Sequence, residues 1–162
     1  MQLIKRSFIL IALVLLAACS TEKEIVKIPD PEPVYVPEPL ITLELAEPVQ
    51  KKKRGPVGAN IHFTNSSTGI YQYILFRTTA YDKDGNVVRA RKSRDQSAYL
   101  RVAGPVHPGE YSKGHSWKNT WRSKANIDCI DIDHVEIVFS DGSVEVAQGD
   151  RLTKLTNGTC VR

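Results

Sequence analysis

Acidic, histidine and hydroxyl side chains cluster at several points along this 162-residue chain, and each cluster has a chemistry it could perform. Asp82-Lys83-Asp84-Gly85-Asn86 has the acidic, glycine-containing composition of a calcium loop. With Gly85 in the invariant glycine place, however, the first ligand position falls on Ala80 and the bidentate glutamate position on Arg91, and neither suits the ion. A hairpin turn accounts for the same letters. Asp128, Asp131, Asp133 and His134 gather around Cys129. On an extended strand Asp131 and Asp133 share one face, while Ile130, Ile132 and His134 take the other. That is the pattern of a solvated face over a buried one, and it lacks further ligands to complete a metal site. His62, His107, His115 and His134 are scattered, with no pair at helical spacing. No Gly-x-Ser-x-Gly elbow and no glycine-rich phosphate loop occurs. The chain is expected to be no enzyme, with no catalytic residue, metal or cofactor.

Positive charge is more concentrated. Arg89, Arg91, Lys92, Arg94 and Arg101 fall on one predicted hairpin, with Tyr71, Tyr73 and Tyr81 on an adjoining strand. Such a patch suits an acidic partner, such as lipid phosphates or an acidic protein face. Charged residues also protect strand edges from aggregation, and the sequence leaves both readings open. Lys51-Lys52-Lys53-Arg54 reads as a solvated linker end whose charge offsets the seven acidic residues between Glu22 and Glu47. Contact with anionic headgroups is its functional alternative.

The first segment says where these residues work. Lys5 and Arg6 precede an apolar run from Phe8 to Leu16, followed by small residues. This is the plan of an export signal. The stretch from Ser7 to Ala18 falls well short of the roughly 20 apolar residues a spanning helix needs. Leu16-Ala17-Ala18-Cys19 resembles the bacterial lipobox. The resemblance implies that residues 1–18 are removed as a signal peptide. It also implies that the Cys19 thiol carries a diacylglyceryl group and that the new amino group is acylated. Two or more chains anchor a protein stably. Ser20 stands where enterobacterial lipoproteins of the inner membrane usually carry Asp, which implies the outer membrane.

Cleavage leaves 144 residues and lowers the net charge from +4 to +2, because Lys5 and Arg6 leave with the leader. A near-neutral exported chain is not expected to bind nucleic acid. With Cys19 committed to lipid, Cys129 and Cys160 form an even pair in an oxidising compartment, and a disulfide is expected between them.

From Lys27 to Gln50 the chain carries Pro29, Pro31, Pro33, Pro37, Pro39 and Pro48 interleaved with Glu and Val. Proline at this spacing favours polyproline II, so residues 19–55 are expected to form a lipid-anchored, disordered stalk with a basic end. Its role is that of a spacer, or of a docking site for a proline-reading partner. Beyond Gly55 the apolar period becomes two. Strands are expected at Ala59–Thr64, Ile70–Tyr81, Val87-Val88, Ser97–Val102, Tyr111–Trp121, His134–Phe139 and Val144–Ala147, with Asp-Gly turns at Asp84-Gly85 and Asp141-Gly142. About seven short strands in residues 56–162 predict an all-β, Ig-like antiparallel sandwich. Ile61, Phe63, Ile74, Phe76, Leu100, Trp117, Trp121, Val135, Ile137 and Phe139 are expected in its core.

Tyr81-Asp82 followed by Asp84-Gly85-Asn86-Val87-Val88 resembles the envelope domains called FxLYD and their fibronectin-III-like relatives. Gly104-Pro105-Val106-His107-Pro108-Gly109-Glu110 is similar to the proline-glycine-glutamate loop of such domains, and Trp117-Lys118-Asn119-Thr120-Trp121 to uncharacterised bacterial sandwich modules. Thr78 and Ala80 replace the Phe and Leu of the family's name. The likeness covers residues 57–147 and implies an extracytoplasmic, non-catalytic module. The expected function is an outer-membrane lipoprotein displaying a binding or assembly head to an envelope protein or acidic surface. A pilotin-like accessory lipoprotein of a secretion, conjugation or pilus system is the alternative, and a wall hydrolase the more distant rival.

Overall fold

The computed structural model describes residues 37–50, 55–122, 126–155 and 160. Cys19, most of the proline-rich stalk and Lys51–Arg54 lie outside these. Among the described residues nine strands follow in order: β1 (Ile41–Gln50), β2 (Val57–Asn65), β3 (Tyr71–Asp82), β4 (Val87–Val88), β5 (Ser97–Val106), β6 (Tyr111–Trp121), β7 (Ile127–Phe139), β8 (Val144–Ala147) and β9 (Leu152–Lys154). One sheet runs β6-β2-β1-β9. In the other, β3 lies between β7 and the edge formed by β4 and β5, with β8 outside β7. All pairings are antiparallel except β1 with β9. The protein is an all-β sandwich.

The inner faces meet through alternating apolar side chains. Ile61 and Phe63 of β2 face Ile74 and Phe76 of β3, and the Phe63 and Phe76 rings lie 5.4 Å apart. Ile130, Ile132, Val135 and Ile137 of β7 are fully buried, as is Trp121. Every residue expected in the core is buried except Trp117, which is half-buried at the margin of the cluster.

Two expectations need correction. Residues 41–50 are not stalk: β1 is a central strand, with Ile41 opposite Asn65 and Gln50 opposite Val57. Its bulge between Leu43 and Leu45 hides the period, since Ile41, Leu43 and then Ala46 point inward. Pro48 is tolerated because β9 pairs only with Ile41–Leu43, so its missing N–H faces an open edge. The sandwich therefore starts well before residue 56.

The second correction is one of phase. A bulge separates Tyr71 from Tyr73, so Tyr71 turns into the core while Tyr73 faces outward. The Tyr71 hydroxyl donates to the Leu40 carbonyl, tying the incoming chain to the core. A like irregularity in β7, where Arg77 pairs His134 and Thr78 pairs Ile132, puts His134 on the outer face rather than beside Ile132.

Candidate binding surface

The topology sorts the connecting loops onto two ends. The proximal end, where the chain comes in at Pro37–Leu40, also holds the turns at 66–70, 107–110, 140–143 and 148–151. The distal end holds 83–86, 89–96, Arg122 and Asn126. Proximal loops carry Glu38, Glu110, Asp141 and Asp150 against Arg151. Described distal loop residues carry Lys83, Arg89, Arg91, Lys92, Arg94 and Arg122 against Asp84 and Asp95, all exposed. The head is polarised along its strands, acidic where the chain comes in and basic at the far end.

Each end is built by local chemistry. At the distal hairpin the Asp82 carboxylate accepts from the backbone N–H groups of Asp84 (3.0 Å) and Asn86 (2.8 Å), and Gly85 takes φ 79°. These bonds hold the Asp82 carboxyl below its ordinary pKa, the Asn86 amide contributing most. The basic loop is fastened across the gap between the sheets. Arg91 N–H donates to the Thr120 carbonyl at 2.8 Å, and Ala90 is buried in a bridge to Trp121. Arg94 takes φ 64°, and the Arg89 guanidinium donates to its carbonyl at 3.2 Å. Among the described residues no carboxylate pairs with Arg89, Arg91, Lys92 or Arg94.

Arg101 does not join this loop. It stands on β5 opposite Leu75, five pair positions from Val88 opposite Ala80, or roughly 17 Å along the sheet. There its guanidinium lies 5.0 Å from the centre of the Tyr73 ring. The five cations are therefore a loop of four plus one on the outer sheet face.

Beside the loop, a groove of about 390 Å³ separates β5 from β6, lined among others by Leu100, Trp117, Lys92, Lys118 and Asp95. A second, of about 260 Å³, lies on the other side of Trp117 and Lys118. A depression of about 690 Å³ at the proximal end is lined in part by Pro37–Leu40 themselves.

The remaining candidates are engaged structurally. Asp133 receives two bonds from the Arg77 guanidinium (3.0 and 2.9 Å), which lower its pKa, and Asp131 pairs with Lys154 at 2.8 Å. Cys129 and Cys160 are joined as a disulfide, closing the C-terminal segment onto β7. The Ser112 hydroxyl meets His115 Nε2 at 2.7 Å, a contact the sequence reading missed because a bulge in β6 brings the two together. Burial lowers the His115 pKa, and the ring stacks on Phe63. No carboxylate partners that ring among the described residues. No family model, curated protein or solved structure matches the chain.

Proposed function

We propose that the protein is an outer-membrane lipoprotein, anchored through acylated Cys19, whose FxLYD-like head is a non-catalytic binding module for an acidic partner in the cell envelope. The observation that carries this reading is the polarity of the head. The cations Arg89, Arg91, Lys92 and Arg94, which no carboxylate pairs among the described residues, gather at the end opposite Pro37–Leu40. Long-range attraction then raises encounter rates with acidic surfaces.

A photo-crosslinker placed at residue 92 in intact cells tests this, with one at residue 141 as the control. Envelope-protein adducts are expected from position 92, and they should vanish when Arg91 and Arg94 become Glu. Equal yield from both positions, or adducts indifferent to those reversals, would overturn the proposal.

A further inference from the structure

We infer that the free edge of β5, from Ser97 to Ala103, is a docking track for an extended acidic peptide, which adds to the five-stranded sheet as a further strand. The inference deepens the binding-module reading and rests on it for the sign of the partner's charge.

The edges of this sandwich are not alike. β4, β8 and β9 are only two, four and three residues long. Beyond its pairing with β9, β1 carries a bulge and Pro48. β6 is broken by two register shifts and by Gly114 and Asn119, which have φ of 84° and 63°. Bulges, brevity and proline are the ordinary means of blunting an edge.

β5 has none of them where it matters. Its register with β3 runs unbroken from Ser97 opposite Thr79 to Ala103 opposite Tyr73, and Pro105 comes only after that stretch. No strand pairs with the other edge of β5 among the described residues. Strand side chains stand roughly perpendicular to the sheet. Arg101, drawn over Tyr73, therefore covers the face and leaves the edge open.

The groove next to this edge gives the partner its chemistry. Main-chain pairing supplies affinity in strand addition, and flanking side chains supply selectivity. Here the flanking charges are Lys92 and Lys118 against Asp95, with Arg91 and Arg94 continuing on the same loop. Trp117 and Leu100 line the groove, and Tyr99 is 61% exposed on the sheet's outer face. The track suits an extended segment in which carboxylates alternate with small or apolar residues.

The test uses the full acylated chain in detergent and a fluorescent peptide of about ten residues alternating Glu with Thr. Binding should slow amide hydrogen exchange at residues 97–103 by about tenfold or more. A Lys/Thr peptide should not bind, and of two Glu/Thr peptides methylated at every second amide, one along each edge, the one blocked on the edge that pairs with β5 should lose binding while the other keeps it. Lys92→Glu with Lys118→Glu should weaken binding about tenfold. Absence of binding, or binding that survives amide methylation along each edge, would overturn the inference. So would protection of residues 97–103 that appears without peptide and grows with protein concentration, because the occupant would then be a second copy. Binding of the acidic peptide without protection at 97–103 would leave the basic binding module standing and remove the β5 track alone.

Discussion

Reduction of the Cys129–Cys160 disulfide should cost this head a large part of its stability. The bridge spans 31 residues. In the chain-entropy model a loop of that size restricts the unfolded chain by about 3.7 kcal/mol, against a total of about 5–15 kcal/mol for a typical domain. The native contacts it backs up are few. β9 pairs with β1 at only three positions, Leu152 is its one buried residue, and Lys154 reaches Asp131 through a single surface ion pair. At roughly 4 °C per kcal/mol for a unit of this size, the melting temperature should fall by about 15 °C. The assay is thermal unfolding by circular dichroism of the oxidised chain, the chain with a reducing agent, and the Cys129→Ser/Cys160→Ser variant. The reduced chain and the variant should agree with each other. A shift below about 3 °C, or two reactive thiols in the unreduced, denatured protein, would refute the reasoning.

Further substitutions probe other parts of the structure. Asn65 is fully buried, donates to the carbonyls of Gly69 (2.8 Å) and Val106 (3.0 Å), and accepts from the backbone N–H and hydroxyl of Ser67. Asn65→Ala leaves those groups unpaired and should lower stability by about 2–4 kcal/mol in urea titration. An added Cβ at Gly58 would lie 1.9 Å from the Trp117 carbonyl oxygen. Gly58→Ala should therefore disrupt the β2–β6 pairing and cost about 3 kcal/mol, read by urea titration and by exchange of β6 amides. His115 has its pKa lowered by burial, with His62 adding to the effect, so its stabilising contribution is present above the unfolded value near 6.5 and is lost as pH falls through the folded value. Denaturation at pH 7 and pH 5 should show wild type losing more stability on acidification than His115→Gln. Arg91→Glu with Arg94→Glu should change stability by less than about 0.5 kcal/mol while removing binding to acidic partners.

The alternating strands β2 and β3, the Asp-Gly hairpins and most of the core were legible because period two and turn chemistry are local signals. β1 was not, since Pro48, two acidic residues (Glu44 and Glu47) and one bulge disguise a central strand as stalk. β9 is three residues in a polar stretch, and only its partner β1 defines it. His134 was placed on the wrong face, and Tyr71 was grouped with Tyr73 beside the cations although it is buried, because a bulge reverses the alternation without leaving a mark in the residue types. The basic cluster was visible in composition, but its division into a distal loop and the separate Arg101 depends on where β5 turns back along β3. The polarity of the two ends is a property of topology, and no window of sequence contains it.

The tether is tested most directly by intact mass spectrometry of the protein extracted from cell membranes. A chain starting at Cys19 and heavier than its polypeptide by a diacylglyceryl group and a fatty acyl chain is the predicted result, with Cys19→Ser abolishing the added mass. An unmodified polypeptide, or one cut at another bond, would contradict it.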